Sequence, residues 1–367
     1  MHDPFRIVSI ALWPVDIPLT DPFVVATGSR VVAQNAFVRI RLADGSEGIG
    51  ELAPFPEVSG ETRDGSLARA TTLAGELVGR SAHHLRALAA QMAEQAYDAP
   101  AARCGLETAL FDAWCHAAKV PLWSLWGGRD VRPYQTDISV PITTADDTLR
   151  LAKGWYTRGF RLFKMKVGHD VDQDIARLEA VHRAWPDISF ILDANQGYSR
   201  EQAAAAVKGL LRVGARIVLL EQPVVREDLE SMAALERDWN IPVAADESVR
   251  SVEDVRAVIA ARAAGFVNIK ITKTGVCAAL DIATMVRGAG LRLMIGGMVE
   301  TRIAMGCSFA MVMGLGGFEV LDLDTPLLLA NDPVEGGYQY RGAELLPWDG
   351  PGLASKLTVP ADAIVIT

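Results

Sequence analysis

The sequence predicts an α/β protein, a modified (β/α) barrel of the TIM type joined to an α+β module. Three observations carry this. Residues 5 to about 125 run strands first and helices after, without alternation. Beyond Pro133, short apolar runs alternate with amphipathic stretches, eight β/α units in about 190 residues. From Leu327 that rhythm stops, and a Gly/Pro-rich tail is left to return to the first module. The expected boundaries are 1–128, 129–326 and 327–367. A doubly wound open sheet is the alternative, but no strand is followed by a glycine-rich dinucleotide fingerprint.

In order along the chain, 6–10 and 36–40 alternate as strands, with Ala43-Asp44-Gly45-Ser46 as hairpin turn chemistry. A Gly/Pro-rich connection, 48–60, leads to helical spacing over 64–95 and 101–119, closed by 121–128. Barrel strands are expected at 136–141, 161–167, 188–193, 217–221, 242–246, 267–270, 292–296 and 318–322. Helices fall between them, at 172–185, 200–213, 227–238 and 252–264 among others.

Composition excludes several classes. A net charge of −9 without a basic cluster gives no nucleic-acid footprint. The four scattered cysteines contain no C-x-x-C and read as reduced, buried thiols. No apolar run approaches the ~18 residues of a membrane span, and the N-terminus lacks signal-peptide features. A soluble cytoplasmic protein is expected, with neither membrane nor nucleic acid as partner.

Lys164 and Lys166 sit at i and i+2 of a strand and therefore share a face. Alone they could be a solvated edge. They belong instead to a series: the second to sixth strands each end in a charged residue. Lys166 to Asp193 is 27 positions, Asp193 to Glu221 is 28, Glu221 to Asp246 is 25, and Asp246 to Lys270 is 24. That period is one β/α unit, and its phase is the C-terminal mouth, where such barrels place their active sites. Three carboxylates converging there repel unless they are protonated or share a cation. Asp193, Glu221 and Asp246 offer only oxygen, which favours Mg²⁺, with Mn²⁺ as a substitute. Asn195 faces the same way.

The lysines then flank the metal, Lys164 and Lys166 from the second strand and Lys270 from the sixth, on opposite sides of an eight-stranded barrel. A metal on a substrate carboxylate stabilises the enediolate left when an α-proton departs. A lysine serves as the base if neighbouring cations and burial lower its pKa. One amine per face gives 1,1-proton transfer, a racemisation or epimerisation. A Schiff-base aldolase needs no triple carboxylate site. A barrel that merely binds metal or peptide has no use for opposed bases.

The set Lys164-Met165-Lys166, Asp193-Ala194-Asn195-Gln196-Gly197, Glu221-Gln222-Pro223, Asp246-Glu247-Ser248 and Asn268-Ile269-Lys270 resembles the enolase superfamily. Within it, the match is to the muconate lactonizing enzyme-like subgroup, over nearly the whole chain. The resemblance implies a capping domain built from the N-terminal region and the C-terminal tail. It implies Lys166 and Lys270 as the acid/base pair, Lys164 near the substrate carboxylate, and Asp193, Glu221 and Asp246 as metal ligands. Barrels of this family commonly form homo-oligomers.

Asp322-Leu323-Asp324, ending the eighth strand, resembles the dipeptide epimerases, whose two carboxylates hold the substrate's α-ammonium. Two anions are a good receptor for one buried cation. The same pair disfavours dianionic muconate and succinylbenzoate precursors, and N-succinyl amino acids have no free ammonium to offer it. The expectation is a Mg²⁺-dependent dipeptide epimerase acting on the second residue. Family members acting on Ala-Glu carry an arginine in the first cap loop, where this chain places Gly28, with Arg30 two positions on. Thr136, Ile138 and Met298 are expected to line the rest of the pocket. Lys273 falls off the inward phase, and Glu247 is expected to support its neighbours.

Overall fold

The computed structural model describes residues 3–367. A four-stranded antiparallel sheet opens the chain, in the order Ile364–Ile366, Ile7–Val25, Gly28–Leu42, Glu47–Leu52. Alternation divides its two faces. Ile10, Leu12, Val38 and Ile40 bury against helices Arg63–Leu77, Leu85–Gln95 and Pro100–Ala118. Ala11, Trp13 and Phe37 point the other way, into the barrel's core. The last strand pairs Ile10 with Ile366, so the tail completes the sheet that begins the chain. The tail also lays Glu344–Leu346 on Tyr134–Gln135 at the barrel's entry.

The first two strands exceed the short segments expected. They form one hairpin paired as far as Val25 with Gly28. Pro14 and Pro18 are accommodated within it, and a register shift falls between Pro18 and Phe23. Prolines read as breakers in sequence are tolerated at such irregularities.

Eight parallel strands follow in sequential order: Ile138–Val140, Leu162–Lys166, Ser189–Asp193, Arg216–Glu221, Val243–Ala245, Phe266–Ile269, Arg292–Ile295 and Phe318–Leu321. Their helices begin where sequence places them, because Asp170, Ser199, Asp228 and Ser251 cap the backbone N–H three residues on. The eighth unit differs from the expectation, since only a 3₁₀ turn, Thr325–Leu328, follows the last strand. Closure is modified too. The first and last strands form no ladder and meet through the Asp137 N–H donating to Leu321 O at 3.0 Å.

Inside the barrel, Ile191, Leu219, Ala244, Phe266, Met294 and Val320 fill the floor. Two residues further along those strands stand Asp193, Glu221, Asp246, Asn268, Gly296 and Asp322, raised to the mouth by strand parity. No helix among the described residues is long and apolar enough to cross a membrane.

Candidate active site

The charged rim is dry. Lys164, Asp193, Glu221 and Asp246 are all 0% exposed, and Lys166 and Lys270 are 5% and 4%. Lys164 Nζ lies 2.6 Å from Asp322, 2.9 Å from Glu221 and 3.1 Å from Asp193. Lys166 Nζ donates to Asp193 at 2.6 Å, and Lys270 Nζ stands 2.7 Å from Asp246 Oδ2. Burial raises the Asp193 carboxyl, but Lys166 and Lys164 outweigh it and hold the group at about 2. Glu221, with burial and Asp193 acting together, is pushed up to about 7.

The expected lowering of the lysines is not seen at Lys164 and Lys270. Burial acts in that direction, but the carboxylates exceed it and hold both above the usual lysine range. Both are therefore anion-bound ammonium groups in this state.

The rim fits a hard cation. Asn195 Oδ1 is a buried acceptor without a hydrogen-bond donor, and Glu221 Oε2 and Asp246 Oδ2 meet lysine ammonium groups at 2.9 and 2.7 Å. Oxygen donors with acceptor capacity to spare suit Mg²⁺. The backbone is strained where it delivers them: Asn195, Gln196 and Gln222 carry φ of 41°, 71° and 33°. Gln222, given no role from sequence, accepts the N–H groups of Asp246 and Ser248 and so ties the fourth strand's end to the fifth's. Lys273 is buried and donates to the Asp246 carboxylate. Asn195 donates to Glu247 at 3.2 Å, which makes Glu247 a support.

On the other side, Asp322 is held below the usual range because Lys164, Lys270 and Lys166 overcome its burial. Asp324 accepts the Ser139 N–H at 2.6 Å and is pushed up to about 7 by burial and by Asp322. Sequence reasoning missed Asp137. Its carboxylate and those of Asp322 and Asp324 are the one trio of ligand atoms within 4.8 Å of one another among the described residues. The expected ligands Asp193, Glu221 and Asp246 do not gather that closely, with lysine ammonium groups among them.

Thr136 and Ile138 do not line the cavity. The Thr136 hydroxyl donates to Leu321 O and accepts the Leu323 N–H, pinning the barrel's two end strands together. The error is one of phase: Ser139, not Ile138, pairs with Lys164 and shares its inward face. Ile138 looks like a pocket residue because it is apolar, yet apolar positions of such strands also face the helices. Asp137, two residues before Ser139, has the inward parity that this pairing reveals.

A cavity lies over the rim. Lys166, Asn195, Lys270 and Asp322 form its polar floor, and Met298 and Val299 one wall. The cap supplies Phe23, Val25, Phe55 and Val58. The hairpin tip docks on the barrel through the Ile142 N–H to Val24 O, 2.9 Å, and through Ala26 against Gly168. Gly168 has φ +115°, and a Cβ there would come 3.0 Å from that of Ala26. Arg30 gives two hydrogen bonds to Glu57, at 2.8 and 3.0 Å, and lies over Phe55. Its charge is therefore taken up before it meets the cavity.

Comparison with known proteins agrees with this geometry. Residues 7–127 match the mandelate racemase / muconate lactonizing enzyme N-terminal domain, and 147–360 match the enolase C-terminal domain-like family. An aromatic dipeptide epimerase of Herpetosiphon aurantiacus is 40% identical over 93% of this chain and 96% of its own. An L-Ala-D/L-amino acid epimerase of Populus trichocarpa is 38% identical over 94% and 83%. The solved dipeptide epimerase of Enterococcus faecalis, complexed with Mg and L-Leu-L-Tyr, superimposes with a TM-score of 0.91 at 30% identity, covering 95% of this chain and 99% of that one.

Proposed function

The chain belongs to the mandelate racemase / muconate lactonizing enzyme family of the enolase superfamily, as an isomerase, and from that premise we propose that it epimerises the second residue of dipeptides with an apolar side chain there. The observation that carries this is the placement of Lys166 and Lys270, which line one cavity from the second and sixth of eight strands, on opposite sides.

Asp193, Glu221 and Asp246 would hold Mg²⁺, and the substrate's carboxylate is drawn to that side. Bound there, the ion supplies positive charge that makes the α-proton more acidic. Lys164 adds a second fixed cation beneath the same position. The α-ammonium lies toward Asp322 and Asp324. Between these anchors the α-carbon faces one amine on each side. One amine, having passed its proton to solvent, takes the α-proton; the other, as ammonium, gives a proton to the opposite face. Charge and proton number balance, and the centre inverts.

The side chain meets Phe23, Val25, Phe55 and Val58. An acidic side chain finds no free cation on that wall, because Arg30 is paired with Glu57. The aromatic dipeptide epimerase among the relatives, and the L-Leu-L-Tyr bound to the solved one, support this preference. The acidic receptor speaks against N-succinyl amino acids, muconate and succinylbenzoate precursors. A dipeptide panel incubated in D₂O tests the reading: α-deuterium should enter the second residue of Ala-Phe and Ala-Leu but not Ala-Glu. Chelation should abolish exchange, and Mg²⁺ or Mn²⁺ should restore it. Turnover of a succinylated amino acid with no dipeptide exchange would refute it.

A further inference from the structure

Asp137 has no part in the roles above. It lies just before the first barrel strand with the inward parity of Ser139, is 0% exposed, and neither of its carboxylate oxygens has a partner. Buried polar groups are normally satisfied, and a lone buried carboxylate is among the costliest exceptions. Closing the barrel does not need it, since its backbone N–H and the Thr136 hydroxyl perform that closure.

The charges nearby show what is missing. Lys164 is the cation in contact with this acidic group, 2.6 Å from Asp322, and it is shared with Glu221 and Asp193. The Ser139 N–H serves one oxygen of Asp324 and leaves Oδ1 without a donor. Three carboxylates thus stand together with less than one ammonium among them. Burial, then Asp322 and Asp324, push the Asp137 carboxyl far above the usual range.

We propose that Asp137 is the third carboxylate of the ammonium receptor, a positioning and specificity residue that acts through Asp322 and Asp324 and makes the subsite reject an acylated, uncharged amino terminus. The inference rests on the reading of Asp322 and Asp324 given above. Its oxygens do not reach the cavity, so Asp137 works by field rather than contact. Burial and the like charges of Asp322 and Asp324 oppose its ionisation in the empty receptor; a substrate ammonium arriving there favours the ionised form, and in a low-dielectric interior that added negative charge holds the cation strongly.

Asp137→Asn keeps the shape and removes the charge; Asp137→Ser removes the charge with less bulk. Each should raise KM for L-Ala-L-Phe at least ~10-fold with kcat nearly unchanged, and cut its preference over N-acetyl-L-Ala-L-Phe by a similar factor. A purely structural role would lower the melting temperature and reduce both substrates alike, overturning the proposal. So would a second metal ion per chain that is lost in Asp137→Asn. Asp324→Asn is the control for the underlying reading. If it raises KM and the Asp137 variants do not, this inference alone falls; if it leaves KM unchanged, both fall.

Discussion

At the scale of single residues, the two amines that line the cavity from opposite strands would carry the proposed chemistry, and each has its own signature. Lys166→Ala and Lys270→Ala should each lower kcat for epimerisation by roughly 10²–10⁴. Each variant should keep α-deuterium exchange from the face whose lysine remains, read by mass spectrometry on L- and D-substrates separately. Loss of exchange from both faces in either variant would contradict a two-base site. The rim residues are legible in the sequence because they break a packing rule in phase: a charge where a strand would otherwise end apolar, repeated once per β/α unit. Thr136, Ile138 and Asp137 show the limit. The first strand is too short for parity to be read without its neighbour, and only pairing of Ser139 with Lys164 settles which residues face in. The lysine electrostatics are hidden for another reason. Sequence shows that cations are adjacent, but not that Lys164 touches Asp322, Glu221 and Asp193 at once.

At the scale of elements, the hairpin Ile7–Val25 and Gly28–Leu42 brings the apolar wall to the barrel. Its tip is held by Ala26 on Gly168, a fit that allows no side chain at the glycine. Gly168→Ala combines a clash with a φ that alanine resists, a cost of about 1–3 kcal/mol. The strain falls on the tip and on the barrel mouth together, because the same Cβ would come 2.8 Å from the Ala194 carbonyl oxygen beside Asp193. KM for apolar dipeptides should rise roughly 10-fold in steady-state assays, with weaker metal binding by calorimetry. An unchanged KM would show that the cavity does not depend on this fit. The barrel helices are legible from capping residues and periodicity, whereas the long hairpin is obscured by prolines that its irregular register absorbs. The missing eighth helix is foreshadowed only by Thr325-Pro326 and the Gly/Pro-rich tail.

At the scale of the whole molecule, buried carboxylates join cap and barrel, Glu107 through the Cys277 N–H and Glu51 through a larger set. Glu51, on the third cap strand, accepts the backbone N–H groups of Thr301 and Ala304 at the start of barrel helix Ala304–Leu315, and Asn35 Nδ2 as well. Burial and then Glu300 raise it from 4.5 to about 7. Between those values the folded chain holds a proton that the unfolded chain has lost. The Glu51 contribution to stability therefore falls as pH rises from about 4.5 to about 7 and is level above, a span of about 3 kcal/mol if the whole shift is felt. Thermal unfolding should show a decline over this range, to which buried Glu107 and Glu221, each also pushed up to about 7, add, and Glu51→Gln should make it shallower by the share of Glu51 while costing stability at pH 5. An unchanged slope would assign the decline to other groups.

The eight-stranded sheet has a single unzipped seam, between Ile138–Val140 and Phe318–Leu321, and the acidic receptor straddles it. Elsewhere around the mouth, the spacing between neighbouring functional groups is dictated by a ladder of backbone bonds. Across the seam it is set by one backbone bond, Asp137 N–H to Leu321 O, and a few replaceable side chains. In the proposed reading, tolerance for different amino-terminal residues would sit where the architecture is least committed. Substrate range at that end could then drift through substitutions at 136–139 and 321–325 without disturbing the spacing of the proposed metal ligands and bases.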